Sequence, residues 1–198
     1  LWDLEVNANR PDAMSVAGVA RDLAAALGVP FSYPDYSITT TGEQVDDLIN
    51  VTIEDPTLCG RFVATVLRDV TVGASPAWMQ NRLTQLGMRP INSVVDISNY
   101  VMLELGQPNH TFDLAAIPNG ALRVRRARDG ETLVTLDDVE RALVPNDGVI
   151  ANEADEIISL AGVMGGSTTE ISDSTTDVLL EMAWWNPPSI SRTVKRLN

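Results

Sequence analysis

Hydrophobic and polar positions along the chain change period several times. Residues 1–6 alternate apolar and polar and predict a strand. After a turn at Asn9–Asp12, Val16, Val19, Ala20, Leu23 and Leu27 recur at helical spacing. They predict a helix capped by Ser15 or Asp12, with these five residues as its buried face, stopped by Gly28 and Pro30. Residues 31–46 are polar and irregular and predict an exposed connection. Leu48–Ile53 and Arg61–Val72 alternate as strands, and Ser75-Pro76 opens a helix through Leu86.

From Asn92 the apolar residues Val94, Ile97, Val101 and Leu105 again take helical spacing, with Asn92, Asp96 and Asn99 in one stripe on the opposite side. Asn and Asp compete with the backbone for hydrogen bonds and suit a helix interior poorly, so this stripe predicts fixed hydrogen bonds rather than a solvated face. Gly106 ends the helix, Pro108 blocks its resumption, and Asn109-His110-Thr111 follow on a constrained loop.

Between 122 and 160 the pattern shortens. Leu122–Arg126, Thr132–Leu136, Ala142–Val144, Val149–Ala151 and Ile157–Leu160 are brief β-like runs separated by acidic and Asp-Gly turns, which predict a small, strongly bent, partly barrel-like sheet. Asp177–Met182 is a further strand, and Pro187-Pro188-Ser189 begins a last helix ending in Arg192, Lys195 and Arg196. The fold class expected is α+β: a helical and sheet part packed on a bent β part, with a pocket between them. One domain over 1–198 is expected, with sub-parts 1–46 and 47–198.

Composition narrows the function. A formal net charge of −13 argues against broad binding to a phosphate backbone, though not against recognition of a short RNA end. The single cysteine, Cys59, forms no internal disulfide and reads as a small core residue, consistent with a reducing, cytoplasmic setting. One His and one Cys are too few for a typical zinc site, and the acids show no calcium-loop spacing, so no metal is expected. No membrane-spanning run occurs, and no membrane partner is expected. A start at LWDLEV, without Met, suggests part of a longer chain.

Three features carry candidate chemistry. LAGVMGG puts Gly162, Gly165 and Gly166 directly after a strand; it is not a phosphate-binding Walker loop, and it reads either as a tight turn or as a close approach to a ligand. Glu181 stands in the apolar run 178–185 and shares a strand face with Leu179 and Ala183. A buried carboxylate there is either satisfied by backbone N–H groups or waits for a ligand. His110, the only histidine, is either a hydrogen-bonded structural residue or a site residue. Arg123, Arg125, Arg126 and Arg128 read as a solvated or salt-bridged sheet face, or as an RNA track.

Long blocks also carry a resemblance. RPIN-VVDI-NYVMLELGQP-H-FD within 89–113, NRPDAMSVAGVARDLAA from Asn9, LAGVMGG from Leu160 and LLEMAWWNPPSISRT from Leu179 occur in one order over nearly the whole chain. Together they resemble the central tRNA-editing region of the bacterial phenylalanyl-tRNA synthetase β subunit. The resemblance implies hydrolysis of mischarged Tyr-tRNA(Phe), by direct attack of water on the ester with help from a hydroxyl of the terminal adenosine. It implies that Glu181 reads the tyrosine hydroxyl and that His110 and Asn99 orient substrate or water. Gly162, Ser98 and Thr111 would contact the aminoacyl group, with Ser98 standing where the family usually has Thr. NRPD would be a structural junction. Expected partners are the aminoacylated 3′ end of tRNA(Phe), its tyrosine moiety and, in the parent enzyme, the synthetase α subunit. No cofactor is expected in this stretch; ATP and Mg would serve the parent. The alternative is a noncatalytic RNA-docking or structural module with a vestigial pocket.

Overall fold

The computed structural model describes residues 3–7 and 9–197. Its helices and strands run in the order α1 (Val16–Leu27), α2 (Val45–Leu48), β1 (Asn50–Ile53), β2 (Cys59–Leu67), α3 (Ala77–Gln85), α4 (Ser93–Leu105), β3 (His110–Asp113) and β4 (Ala121–Arg126). They continue with β5 (Thr132–Val134), β6 (Glu140–Ala142), β7 (Gly148–Ala151), β8 (Ile157–Leu160), β9 (Met164–Gly165), β10 (Val178–Trp185) and α5 (Pro187–Leu197). The protein is α+β. Two compact units share the chain: one holds the residues up to Gly42 and Gly73–Asn109, the other Glu43–Val72 and His110–Asn198. The strand predicted over 1–6 lies partly outside the described residues, at Leu1 and Trp2, and residues 3–7 form no strand.

The first unit is helical. Ser15 caps α1 by accepting a hydrogen bond from the Gly18 N–H (3.0 Å), and Gly28 closes it with φ +65°. The predicted inward face of α1 is not the one buried. Ser15, Gly18 and Ala24 are buried, whereas Val16, Leu23 and Leu27 are more than half exposed. The reason is close approach: a Cβ on Gly18 would meet the carbonyl oxygen of Asp12 at 1.6 Å, so α1 makes its tightest contact through its small residues.

On α4, Asn92 caps the first turn by accepting from the N–H groups of Val94 (3.1 Å) and Val95 (3.0 Å). Asp96 is buried, taking the Ser75 hydroxyl at 2.6 Å and the Ile91 N–H at 2.8 Å, while Ile97 is 50% exposed. Two of the three stripe residues, Asn92 and Asp96, are therefore hydrogen-bonded as expected, no side-chain hydrogen bond of Asn99 is found among the described residues, and Asp96 points inward while an apolar neighbour points out. In NRPD, Arg10 pairs with Asp12 and Asp22, and Asp12 with Arg21.

The second unit holds the sheets. One has five strands in the order β1-β4-β7-β8-β9, with β1 parallel to β4 and the rest antiparallel. Another has three antiparallel strands, β2-β10-β3, and β5-β6 form a ribbon. Both larger sheets are open, so the barrel-like expectation gives way to a layered arrangement. Leu122, Val124, Ile150 and Ile158 of the five-stranded sheet meet Phe112, Leu179 and Cys59 of the three-stranded one in a single apolar core. Each large side chain removed from water there contributes about 1.5–3 kcal/mol. Val149 and Leu160 point the other way, into a second cluster with Leu133 and Leu143. Burial on both faces explains why β7 reads as a continuous apolar run.

Helix α5 is fixed to the second unit by Asp147, 1% exposed, which accepts from the Thr193 hydroxyl (2.8 Å) and the Val144 N–H (2.9 Å) and pairs with Arg196. The arginines of 123–128 are all paired: Arg123 with Glu54 and Asp155, the buried Arg125 with Glu131 and Asp155, Arg126 with Asp55, Arg128 with Asp155. Of the two readings of this stretch, the salt-bridged sheet is the one observed.

Candidate functional site

The middle strand of the three-stranded sheet is β10, a nearly continuous apolar run whose two edges pair with β2 and β3. In its antiparallel register Glu181 stands opposite Ala64 of β2 on one side and His110 of β3 on the other. Residues directly opposed across antiparallel strands share a face, with Cβ atoms about 4.5–5.5 Å apart. Glu181, His110 and Ala64 thus form one row. The rows beside it on the same face are Leu179-Phe112-Val66 and Ala183-Phe62, and all five residues belong to or pack against the core. A carboxyl and an imidazole are therefore set into an apolar wall.

His110 is not on a loop, as its flanking Pro108 suggested; it opens β3. Its ring meets Phe112, two residues on and on the same face, edge to face with centroids 4.5 Å apart. Glu181 is 5% exposed. Among the described residues no side-chain hydrogen bond or ion pair reaches either the Glu181 carboxyl or the His110 imidazole. Of the two readings of Glu181, satisfaction by backbone N–H groups is not what is found.

Burial without a partner sets both protonation states. It disfavours the charged form of each group, pushing Glu181 up from 4.5 to about 8 and His110 down from 6.5 to about 4. Near neutral pH the row holds a carboxylic acid and a neutral imidazole, each with hydrogen-bonding capacity to spare. Cys59, 1% exposed, is held as a thiol, its pKa pushed up to about 11 chiefly by burial. It is a core residue, as its apolar neighbours implied.

The glycine segment closes the wall from the five-stranded sheet. Gly162 follows β8 with φ +67°, and a Cβ there would lie 2.7 Å from Trp185 Cδ1 and 3.0 Å from Ile190 Cδ1. It therefore packs under the end of β10, where Trp185 meets Phe62 edge to face at 6.4 Å. The glycine that reaches the histidine is Gly165 on β9: a Cβ on it would lie 2.4 Å from His110 Nε2. Nothing in the sequence distinguished Gly165 from its neighbours, because its contact depends on the pairing of β9 with β8.

Other candidate residues are placed differently. Thr111 pairs with Leu180, so it occupies the opposite face of the sheet from His110 and Glu181. Ser98 and Asn99 lie on α4, in the helical unit. The Ser98 hydroxyl donates to the Asn109 carbonyl (3.4 Å), and the Asn109 amide donates back to the Ser98 carbonyl (3.2 Å). Ser98 thus ties down the segment that leads into His110. Asn99 is partly buried. Among the described residues no three His, Cys, Asp or Glu side chains come together as a metal-holding set, and no helix is long and apolar enough to cross a membrane.

The stretch that builds this wall, from Leu58 before β2 to the end of the chain, matches the B3/4 domain over residues 58–198, and the chain belongs to that family. Its relatives are more particular. It is 45% identical over 197 residues to the phenylalanine–tRNA ligase β subunit of Geobacter sulfurreducens and 49% identical over 199 residues to that of Dehalococcoides mccartyi, each alignment covering 100% of this chain. The chain spans about a quarter (24%) of the length of each of these relatives. Among solved structures, an N-terminal fragment of the phenylalanyl-tRNA synthetase β subunit from Pyrococcus horikoshii aligns over 91% of this chain and 54% of that one, with 18% identity and a TM-score of 0.47.

Proposed function

We propose that this domain hydrolyses tyrosine from mischarged tRNA(Phe), as the proofreading part of a phenylalanine–tRNA ligase β subunit. Its partners are the aminoacylated 3′ end of that tRNA and, in the whole cytoplasmic enzyme, the α subunit. One observation carries the reading: Glu181 is a buried, unpartnered carboxyl directly across from His110 in an apolar wall.

The chemistry of discrimination supports it. A synthetic site for phenylalanine must admit an aromatic ring, and an apolar pocket rejects an added hydroxyl only weakly. A second site can demand the hydroxyl instead. The Glu181 acid, neutral when empty, accepts a hydrogen bond from a phenol on one oxygen and donates on the other. A phenylalanine ring would shut the same group away from water unpaired, at a cost of about 1–3 kcal/mol. The neutral His110 imidazole can orient the ester or the attacking water, and since an aminoacyl ester is already activated, positioning supplies much of the rate. From the resemblance, Asn99 and Ser98 serve the aminoacyl group and Gly162 approaches it, whereas the Thr111 side chain, on the opposite face of the sheet from His110 and Glu181, is not carried over as a contact.

The test is deacylation of Tyr-tRNA(Phe) and Phe-tRNA(Phe), by the chain itself and by a full-length β subunit assembled with its α subunit. Glu181→Ala should slow tyrosine release about 10- to 100-fold, the equivalent of that hydrogen-bond loss, with little change for phenylalanine. Equal losses for both amino acids would make Glu181 a scaffold residue and favour the noncatalytic alternative.

A further inference from the structure

Gly165 lacks the usual reason for being glycine. Its backbone is not in the left-handed region that L side chains avoid, unlike Gly162 with φ +67°. What excludes a side chain is space. A Cβ on Gly165 would lie 2.4 Å from Nε2 and 2.5 Å from Cε1 of His110, and 3.2 Å from Leu136 Cδ1. One edge of the imidazole thus lies flat against the β9 backbone.

That backbone is held from both sides. Gly165 pairs with Ser159 of β8, and its carbonyl accepts the Leu136 N–H at 3.1 Å. The adjoining Met164 carbonyl accepts the Ser159 hydroxyl at 3.4 Å, and the Gly166 N–H donates to the Ile158 carbonyl at 2.9 Å. A methyl group at 165 therefore displaces the histidine more readily than it displaces the strand. The ring also meets Phe112, itself fully buried. With no side-chain hydrogen bond among the described residues, the imidazole is oriented by two surfaces, an aromatic ring and a bare glycine.

We propose that Gly165 is a positioning residue of the site, reserving the space that fixes the His110 imidazole in the row with Glu181. The functional consequence rests on the editing reading above; the positioning itself does not.

His110 is the only histidine in the chain, so its imidazole signals in an NMR spectrum are unambiguous. Gly165→Ala should shift both carbon-bound imidazole protons, because the ring moves relative to the Phe112 edge, and should change the ring's titration from its depressed value. It should also slow Tyr-tRNA(Phe) deacylation by about ten- to a hundredfold, the scale of a small misplacement of a catalytic group. In a His110→Ala background the same substitution should have almost no additional effect on rate, and His110→Ala should restore any folding lost in the single variant. Unmoved imidazole signals in Gly165→Ala would overturn the proposal. So would failure of the double variant to fold where His110→Ala alone folds, since the methyl would then clash with something other than the imidazole. A moved imidazole with unimpaired deacylation would uphold the positioning and refute instead the use of His110 in editing.

Discussion

Glu181 and His110 are displaced from their ordinary pKa values in opposite directions by the same cause, and the consequence can be measured without substrate. The folded state keeps a proton on Glu181 that the unfolded chain releases above 4.5, so its stabilisation is fully present below 4.5 and is lost as pH rises to about 8. For His110 the folded state refuses a proton that the unfolded chain takes up below 6.5, so stability is lost as pH falls from 6.5 to about 4. Between 4.5 and 6.5 the two slopes cancel. From 6.5 to 8 only Glu181 acts, and the site's contribution falls by on the order of 2 kcal/mol. Chemical denaturation across that range should show this loss in the wild type and a flatter profile in Glu181→Gln. Identical slopes in the two would mean that Glu181 is ionised in the folded protein.

At the scale of elements, the longer helices and central strands could be read from the sequence, but the short α2, where a connection and a strand were expected, and the contacts that orient the elements could not. α4 was visible from its apolar spacing and its Asn92 and Gly106 ends, and α5 from Pro187. β3 and β9, which bring His110 and Gly165 to the site, were not. They are four and two residues long, and their identity comes from pairing with β10 and β8 rather than from any local alternation. Likewise the periodicity of α1 marked Val16, Leu23 and Leu27 as its inner face, whereas tight packing at Gly18 selects another. Glu181 stood out in the sequence as a carboxyl in an apolar strand, but its partner across the ladder was a matter of register. On α4, Asp96 supports the helix from inside. Asp96→Ala should strand the Ser75 hydroxyl and the Ile91 N–H and lower stability by about 1.5–3 kcal/mol in a denaturation experiment, more than Asn92→Ala, which removes a cap worth about 1 kcal/mol. A loss from Asp96→Ala no greater than that from Asn92→Ala would show that the buried carboxylate is not an anchor.

For the whole molecule, charge and site chemistry point to a narrow mode of recognition. A chain with net charge −13, whose arginines at 123, 125, 126 and 128 are all paired with carboxylates, has little to offer a phosphate backbone. The isolated chain should bind tRNA weakly, and tight binding that persists at high salt would contradict this. On the proposed editing function, affinity for the substrate would come from its aminoacylated end, and specificity from one hydroxyl. The most direct measurement is a crystal structure of the chain with a non-hydrolysable tyrosyl-adenosine analogue. The phenolic oxygen is expected within about 2.5–3.2 Å of a Glu181 carboxyl oxygen, with the ester carbonyl turned toward His110. A tyrosine ring bound elsewhere, or bound with its hydroxyl in solvent and Glu181 still unpaired, would contradict it.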